Sequence, residues 1–431
     1  LAKAASETEN LKTWRIGLYG LGTVGRGLVE ILRELEEILP GRAGARFEIV
    51  SIADRSYQKK GKWTAGRQAA HDPDFILKDP TIDIAVELIG GVVQARSFVT
   101  EALKSGKHVV TANKALLASH AAEIFPLARK AERHIMFEAA VAGALPVIKS
   151  LRRGLVANEI HGLYGILNGT CNFIITRMQQ DQMTYADALS LAQEKGFAEA
   201  DPTFDCAGHD AAQKLALLSS LAFDGLVSLD WIRTRGIVGL ERVDLQMAEE
   251  YGYSIRLLAV ARKLKDGLLF RVHPALLHAD HTLASVCNEQ NAVFFDASNS
   301  GPLLITGSGA GARPTAAAVV SDLVAIANAD RPESWPIEPL AAQRAGQAEY
   351  EFYLRFQAVD RPGVLAHISR VLADSGVSIA SMHQPSGQEP VNVVLLTHRA
   401  PEDSIRQAVD RIADHDFILG DPVILPIETR L

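Results

Sequence analysis

The chain has 431 residues, its 44 Lys and Arg against 51 Asp and Glu give a formal net charge of −7, and 48% of its residues are hydrophobic. At about 150 residues per domain, this length predicts roughly three domains with enough apolar residues for sizeable cores. An acidic chain without a long Lys/Arg run is a poor candidate for nucleic-acid binding, and no apolar run reaches the roughly 20 residues of a membrane span, so we expect neither partner.

The three cysteines, Cys171, Cys206 and Cys287, are too far apart in sequence for a disulfide framework or a set of zinc ligands. Their small number favours a reducing compartment, and we expect the protein in the cytoplasm. Residues 1–10 are polar and rich in Ala and lack the apolar run of a signal peptide, so we expect a flexible tail there.

The first part of the chain alternates short apolar runs with segments of helical periodicity. The predicted strands are 15–20, 47–53, 82–88, 108–112 and 135–139. The predicted helices are 25–39, which Pro40-Gly41 should end, and 96–104. This alternation predicts an α/β fold with a Rossmann-type, doubly wound parallel sheet.

From about Gly143 onward, strands and helices occur in runs instead. The predicted strands are 160–167, 270–274, 292–296 and 303–306, and the predicted helices are 185–195 and 210–223. Such runs predict a mixed α+β second domain. A glycine-rich loop from Gly307 to Gly311 then precedes a predicted helix at 315–328, and we expect this segment to return to the first domain.

The last part of the chain is predicted to be a separate small unit. Residues 330–347 are rich in Pro, Ala and Glu and predict a linker. Strand, helix, strand, strand, helix and strand then follow in the ferredoxin-like βαββαβ order. The predicted division is therefore 11–142 with 307–329, then 143–306, the linker 330–347, and 348–431.

The sequence Gly20-Leu-Gly22-Thr-Val-Gly25 follows a predicted strand and begins a predicted helix, the context that a dinucleotide-binding loop requires. Gly20 permits the tight turn, Gly22 the approach of a pyrophosphate, and Gly25 close packing of helix on strand. Asp54 ends the second strand, where a carboxylate binds a ribose 2′-hydroxyl, while the adjacent Arg55 suits a 2′-phosphate. Both NAD and NADP stay open, with the balance towards NAD.

Charged residues are concentrated between Gly196 and Lys214. Asp210 and Lys214 lie four residues apart on one helical face, which continues into apolar positions. An exposed surface ion pair is the ordinary alternative. Glu199, Asp201 and Asp205 lie just upstream, however, and charges are rarely buried without partners. We therefore predict a polar pocket for a substrate with an ammonium group, with a Lys that exchanges a proton with a substrate oxygen.

Two further polar segments are less specific. Thr111-Ala-Asn113-Lys114 ends a buried-looking strand, which would place Lys114 at the ligand-binding edge of the sheet, although it could equally be a polar helix start. Asn168-Gly169-Thr170 is a polar turn after the strand 160–167 and supports no prediction alone.

Taken together, these motifs resemble the homoserine dehydrogenase family, in the type that carries a C-terminal ACT domain. The matching stretches follow the family order over nearly the whole chain. They are GLGTVG (20–25), VVTANKALLA (109–118), FEAAVAGALP (137–146), GILNGTCNFI (165–174), GFAEADPTFDCAGHDAAQKL (196–215) and GSGAGARPTA (307–316).

The resemblance implies NAD(P)-dependent interconversion of L-homoserine and L-aspartate 4-semialdehyde, a step towards threonine, methionine and isoleucine. It implies that Lys214 transfers the proton, that Lys114 shares this work and touches cofactor and substrate, and that Asp210 is catalytic. Glu199 and Asp210 would hold the substrate, with Asp205 beside them. The remaining implied cofactor contacts are Thr23, Val24, Gly196, Gly309 and Gly311.

The resemblance also implies a monovalent-cation site for sodium or potassium, formed by the backbone carbonyls of Glu138, Val141, Gly143 and Leu145. Two positions depart from the family pattern. Ala53 stands where relatives that prefer NADP often have a basic residue, and Ala144 stands where relatives often have Gly.

Asp360-Arg-Pro-Gly363-Val364-Leu365 resembles the strand–helix turn of ACT domains. The N–H groups at that helix start could bind an amino-acid carboxylate. Asp360, Gly363, Val364 and Leu365 are therefore the implied effector site, with L-threonine as the effector. An ACT domain that only pairs subunits is the alternative. The resemblance further implies that the second domain dimerises, in a homodimer or homotetramer.

Two other functions compete with this interpretation. A Cys-dependent semialdehyde dehydrogenase would need an activated thiolate with a nearby base, and Cys171 is the best-placed candidate. A non-catalytic amino-acid sensor would bind the cofactor only as a signal and would not need the Asp210 and Lys214 pair.

Overall fold

The computed structural model describes residues 11–265, 267–340, 348–385 and 390–429, so the predicted tail and the end of the predicted linker lie outside the described residues. The chain divides into two compact units. The first contains the chain up to Asn158 together with Ala216–Leu229 and Gly307–Leu340. The second contains Glu159–Leu215, Asp230–Thr306 and the described residues after Leu340.

The secondary structure of the described residues is as follows. The strands are β1 (Thr13–Tyr19), β2 (Arg46–Ala53), β3 (Gln68–Ala70), β4 (Ile84–Glu87), β5 (His108–Thr111), β6 (Ile135–Met136), β7 (Ile160–Ile166), β8 (Arg233–Thr234), β9 (Tyr253–Leu264), β10 (Gly267–His278), β11 (Gln290–Ala297), β12 (Gly301–Ser308), β13 (Glu349–Ala358), β14 (Ile379–His383), β15 (Val391–Thr397), β16 (Ala400–Pro401) and β17 (Val423–Glu428). The helices are α1 (Thr23–Glu34), α2 (Leu39–Ala43), α3 (Gly61–Thr64), α4 (Asp74–Lys78), α5 (Val93–Lys104), α6 (Lys114–Lys130), α7 (Val147–Lys149), α8 (Gly169–Gln180), α9 (Tyr185–Glu194), α10 (Thr203–Cys206), α11 (His209–Ala222), α12 (Arg242–Glu250), α13 (Ala312–Ala327), α14 (Val364–Asp374) and α15 (Glu402–Ala413). Short 3₁₀ or π turns lie at Tyr57–Lys60, Glu138–Ala140, Ser150–Gly154, Leu229–Trp231 and Thr282–Ser285.

The first unit is built on a parallel sheet, in which the described strands have the order β3-β2-β1-β4-β5-β6. The predicted doubly wound sheet is therefore confirmed. Its strand order reverses between β1 and β4, and the crevice at such a switch point is where these folds bind ligands. Helix α13 packs on α1, where a Cβ at Gly27 would lie 2.8 Å from the carbonyl oxygen of Ala312.

The predicted helix 25–39 is wrong at its C-terminal end. Helix α1 begins at Thr23 and ends at Glu34, with Leu28 and Ile31 on its buried face. Pro40 does not stop this helix but lies in the first turn of α2, where its missing N–H removes no hydrogen bond. The predicted strand 135–139 is also shorter, because a 3₁₀ turn begins at Glu138.

The second unit contains an eleven-stranded sheet among the described residues, with a main path β12-β11-β7-β9-β10-β17-β13-β15-β14. Strand β9, which pairs with β10 along its length, is absent from the sequence-based prediction. Its middle, residues 257–261, is a continuous apolar run buried on both faces, and periodicity alone cannot distinguish such a run from a helix.

The C-terminal residues form the predicted βαββαβ unit, with α14 and α15 packed on a core that includes Phe352, Leu354 and Phe356. Its strands do not form a separate sheet. Strand β17 pairs in parallel with β10, through Leu276 with Ile427 and Leu277 with Glu428. The C-terminal unit therefore continues the sheet of the preceding domain.

A buried ion pair ties this C-terminal unit to helix α12. The Arg355 guanidinium donates to both oxygens of Asp244, from Nε over 2.7 Å and from Nη2 over 3.2 Å. The Tyr353 hydroxyl donates to Asp244 over 2.9 Å. Arg355 is 2% exposed and Asp244 is fully buried. Phe352, Leu354 and Phe356 thus lie on one face of β13, and Tyr353 and Arg355 on the other.

Candidate active site

In the first unit, the glycine loop Gly20–Gly25 is closely packed at Gly20 and Gly25 and open at Gly22. Gly20 has φ +106°, and a Cβ there would lie 2.6 Å from the carbonyl carbon of Leu88. A Cβ at Gly25 would overlap the carbonyl oxygen of Gly20, while a Cβ at Gly22 would meet nothing within 4 Å. Thr23 and Val24 begin α1, so their N–H groups belong to the unsatisfied first turn. The loop therefore has the shape and the donors of a pyrophosphate site.

Asp54 closes this loop from the second strand. Its carboxylate accepts hydrogen bonds from the N–H of Leu21 over 2.9 Å, from the N–H and hydroxyl of Ser56, and from the ammonium of Lys60 over 2.8 Å. Burial acts to raise the pKa of Asp54, but the bonds from Lys60, Leu21 and Ser56 outweigh it and lower the pKa to about 2. The carboxylate is thus held ionised against a cation.

Lys114 is the first residue of α6 and is half-buried at the carboxyl end of β5. The preceding Asn113 caps the helix, because its side-chain oxygen accepts from the N–H of Leu116 over 3.0 Å. At the end of the neighbouring strand β4, the buried Glu87 accepts from the Thr111 hydroxyl over 2.6 Å and from the N–H of Ile89. Its burial raises the pKa of Glu87, against these hydrogen bonds. Because Lys114 directly follows these strand ends, it lies at the carboxyl edge of the sheet, where doubly wound folds bind ligands.

The loop at 138–145 packs against the second glycine-rich loop. A Cβ at Gly143, which has φ +57°, would overlap the carbonyl oxygen of Gly309. Gly311 has φ +125° and caps α13. The carbonyls of Glu138 and Leu145 accept backbone N–H groups of Val141 and Val147, whereas no such bond is found for the carbonyls of Val141 and Gly143 in the described chain. Because each carbonyl oxygen has two lone pairs, these four oxygens keep acceptor capacity beyond those bonds.

The buried carboxylates of Glu138 and Asp322 accept hydrogen bonds from the main chain in and after that loop. The side chain of Glu138 accepts from the N–H groups of Ile148 and Lys149, and its own N–H donates to Asp322 over 2.8 Å. Burial, with the nearby charge of Asp322, raises the pKa of Glu138 to about 7. Burial likewise raises the pKa of Asp322 to about 6, although the Lys149 ammonium lies 3.0 Å away.

In the second unit, the predicted pocket residues Asp205, Asp210 and Lys214 come together. The Lys214 ammonium donates to Asp210 over 2.7 Å and to the carbonyl of Leu167 over 2.7 Å, and its side chain is 12% exposed. Asn168, on which the sequence supported no prediction, donates from Nδ2 to Asp205 over 2.8 Å and to Asp210 over 2.9 Å. An Asn before a helical segment signals an N-cap, but not a link between two carboxylates.

The other residues of this segment are more open. Glu199 is exposed, and its backbone carbonyl accepts from the Gln193 side chain over 3.1 Å. Gly196 is also exposed, with φ +76° at the end of α9. Asp201 accepts from the N–H of Thr203 over 3.1 Å, an interaction within its own turn. Glu199 therefore lies outside the hydrogen-bonded cluster of Asp205, Asp210 and Lys214.

The geometry disfavours Cys171 as a nucleophile. The thiol is fully buried, and its Sγ lies 3.2 Å from the carbonyl oxygen of Asp205. Burial, with contributions from Cys206 and the Asp205 carboxylate, raises the pKa of Cys171 well above its usual value. A thiolate is the reactive form, so this environment suppresses the chemistry that the Cys-dependent alternative requires.

The C-terminal loop after β13 has the geometry of a helix start. Gly363 has φ +96° and caps α14, whose first residue Val364 is buried. Leu365 packs against the core of the unit. The Asp360 carboxylate accepts from the Gln384 side chain over 3.3 Å. The predicted effector residues thus surround the N-terminus of α14.

The described residues lack two features. No helix among them is both long and apolar enough to cross a membrane. No group of three or more His, Cys, Asp and Glu side chains in the described part of the chain could hold a metal ion.

Family models match three consecutive parts of the chain. A model described as homoserine dehydrogenase, NAD binding domain, matches residues 20–138, and one described as homoserine dehydrogenase matches residues 146–324. A model described as ACT domain matches residues 352–416.

Individual relatives match almost end to end. A homoserine dehydrogenase of Pseudomonas aeruginosa is 40% identical over 97% of this chain and 99% of its own length. One from Neisseria gonorrhoeae is 40% identical over 95% of this chain and 97% of its own length.

Solved structures agree with these matches. A crystal structure of a homoserine dehydrogenase from Thiobacillus denitrificans superposes with a TM-score of 0.91 at 41% identity, covering 97% of this chain and 99% of that one. A hyperthermophilic archaeal homoserine dehydrogenase in complex with NADPH superposes with a TM-score of 0.61 at 27% identity, covering 72% of this chain and 97% of that one.

Proposed function

The chain belongs to the homoserine dehydrogenase family, and we propose that it interconverts L-homoserine and L-aspartate 4-semialdehyde with Lys214 as the proton-transfer group. NAD(P), when bound, accepts a hydride from C4 of homoserine or returns it to the aldehyde. During oxidation, the neutral amine form of Lys214 removes the proton of the C4 hydroxyl, and during reduction the Lys214 ammonium donates that proton to the developing alkoxide. Redox and proton transfer then balance, with one hydride and one proton leaving the alcohol.

The observation that carries this proposal is the position of Lys214. Two of its three N–H donors are used within the described residues, by Asp210 and by the carbonyl of Leu167. The third remains for a substrate oxygen. The carboxylates of Asp205 and Asp210 lie beside it, and with the exposed Glu199 they supply the negative charge that attracts the substrate ammonium. Lys114 is proposed to contact cofactor and substrate and to share the proton transfer.

We propose that the glycine loop binds the cofactor pyrophosphate, with Thr23, Val24, Gly196, Gly309 and Gly311 as further contacts. The archaeal relative in complex with NADPH supports use of NADP in the family. Ala53 supports a preference of this chain for NAD. Lys60 instead favours NADP, because its ammonium compensates the charge of the Asp54 carboxylate, which would otherwise repel the 2′-phosphate.

Replacing Lys60 by Ala is expected to raise the KM for NADP about tenfold, while the KM for NAD changes little. Removing the ammonium leaves the ionised Asp54 facing the 2′-phosphate, and about 1.4 kcal/mol of repulsion corresponds to a factor of ten. Initial rates of L-homoserine oxidation with NAD and NADP in parallel measure this. Lys59→Ala is the matched control, since Lys59 is an exposed neighbour outside the Asp54 cluster. Equal changes for both cofactors would contradict the assignment.

We propose that L-threonine binds at Asp360, Gly363, Val364 and Leu365, with its carboxylate on the N–H groups at the start of α14 and its ammonium near Asp360. L-Threonine should then give a saturable binding heat and a lower rate of homoserine oxidation. Asp360→Ala should weaken both effects without changing the basal rate. Isothermal titration calorimetry and rates with and without L-threonine measure this. Binding without a change in rate would show that the domain does not regulate, and the absence of any heat would remove the site.

Further proposals concern the state of the protein. The described cysteines are free thiols, with Cys171 and Cys206 buried, which supports a reducing, cytoplasmic environment.

We propose a homodimer or homotetramer, with residues 143–306 as the dimerisation domain, and a sodium or potassium ion at the 138–145 carbonyls. The division 11–142 with 307–329, 143–306, 330–347 and 348–431 remains the proposed domain organisation.

A further inference from the structure

We propose that Asn168 is a positioning residue of the active site, which orients Asp210 and through it the Lys214 ammonium. The inference rests on the proposed role of Lys214. Asn168 is 5% exposed and immediately precedes α8. It is separated by more than 30 residues in sequence from each of the two carboxylates that it contacts.

Both ends of the Asn168 amide are specified by their partners. Its Oδ1 accepts the N–H of Cys171 over 2.8 Å, which caps α8. Its Nδ2 faces Asp205 Oδ1 and Asp210 Oδ2, so each of its two hydrogens has a carboxylate acceptor. A flipped amide would place an oxygen against two carboxylates and an NH₂ group against an N–H donor. The orientation of this side chain is therefore determined by its contacts.

The main chain beside Asn168 completes the arrangement. Asp210 Oδ2, which accepts from Asn168, also accepts from the Lys214 ammonium over 2.7 Å. The carbonyl of the preceding Leu167 accepts from the same ammonium over 2.7 Å and from the Asn291 side chain over 3.1 Å. Two adjacent residues, Leu167 and Asn168, thus hold both members of the Asp210–Lys214 pair.

This arrangement has two consequences for proton transfer. The Asn168 amide separates two carboxylates that would otherwise repel each other, and it gives Asp210 a second donor besides Lys214. With two of its hydrogens directed to fixed oxygens, Lys214 keeps its third hydrogen in a single direction. Asn168 therefore acts on the reaction through Asp210 and Lys214 and needs no contact with the substrate.

Asn168→Ser separates this role from helix capping, because Ser is about as good an N-cap as Asn but is too short to reach both carboxylates. We expect it to remain folded, with a urea midpoint below that of the wild type because two carboxylates each lose a donor, and kcat for L-homoserine oxidation to fall about 10- to 100-fold. The KM should change less than kcat.

Two further variants keep the test decisive. Asn168→Asp retains the shape and the capping acceptor but places a third carboxylate between Asp205 and Asp210, so it should lose more activity than Asn168→Ser while remaining folded. Asn172→Ser is the matched control, since Asn172 is buried on the same helix and donates to the backbone carbonyls of Val286 and Gln290. It should lower the urea midpoint and leave kcat close to that of the wild type.

The outcomes are distinguishable. A folded Asn168→Ser with wild-type kcat would show that Asn168 only caps α8, and would overturn the inference. If Asn168→Ser does not fold, Asn168→Asp decides, and a wild-type rate there would likewise overturn it. Absence of homoserine oxidation in the wild-type protein would instead contradict the proposed function itself.

Discussion

Replacing Lys214 by Met is expected to lower kcat for L-homoserine oxidation about a thousandfold, the middle of the range for removal of a positioned general acid or base. Met fills a similar volume but carries no proton, so the C4 hydroxyl must lose its proton to water. Asp210 keeps a donor in Asn168, so the variant is expected to remain folded. Steady-state rates at saturating L-homoserine and cofactor measure the effect.

Lys214→Arg is the control for charge. A guanidinium remains protonated at all working pH values, so this variant keeps the cation beside Asp210 but cannot accept the proton. We expect kcat near that of Lys214→Met and a circular dichroism spectrum like that of the wild type. A rate within tenfold of the wild type in Lys214→Met would remove Lys214 from the proton transfer and would direct attention to Lys114. Inactivity of the wild-type protein with both cofactors would favour the non-catalytic sensor.

Replacing Asp244 by Asn is expected to lower the free energy of unfolding by about 3–5 kcal/mol, because it leaves the buried Arg355 guanidinium with only the half-exposed Glu241 carboxylate, 3.0 Å away, as a counter-charge among the described residues. Arg355 is 2% exposed, and the Tyr353 hydroxyl would lose its ionised acceptor as well. Urea denaturation followed by fluorescence measures the change. The first transition should be that of the C-terminal unit, since β13 carries both Tyr353 and Arg355.

A double variant and a surface control make this result specific. Asp244→Leu combined with Arg355→Leu and Tyr353→Phe, which also removes the hydroxyl that donates to Asp244, should be less destabilising than Asp244→Asn, since replacing a whole buried pair by apolar side chains is often nearly neutral. Glu159→Gln breaks the exposed ion pair of Glu159 with Lys263, at 3.2 Å, and should change stability by less than about 1 kcal/mol. Equal effects of Asp244→Asn and Glu159→Gln would contradict the assignment of a buried structural pair.

The sequence predicts local structure correctly where the residues that cause that structure lie close together in the chain. The Gly20–Gly25 loop is an example, because a Cβ at Gly20 or Gly25 would collide with backbone that lies in the same strand–turn–helix motif or at the next strand end. The βαββαβ order of the C-terminal unit is another, since alternation and periodicity within each segment identify its strands and helices. The i,i+4 spacing of Asp210 and Lys214 likewise predicts their contact.

Sequence reasoning failed where a residue's role depends on a distant partner. The helix end at Glu34 was misplaced, because a Pro in the following segment can begin a helix as well as end one. Strand β9 was missed because a run buried on both faces has no alternation. Neither Asn168 nor the buried Arg355 carries a local sign of function, since a polar turn and an alternating strand look the same with or without a partner.

The sequence thus specified the kinds of local structure and the residue types available for the chemistry: a phosphate-binding turn, an Asp–Lys helix pair and the order of a small C-terminal unit. Tertiary folding set the distances between segments. It placed Asn168 within 2.9 Å of two carboxylates from another segment, joined β17 to β10, and buried Arg355 against Asp244. The reason is that turn and helix preferences act over a few residues, whereas the partners of a buried charge are selected by packing across the whole domain.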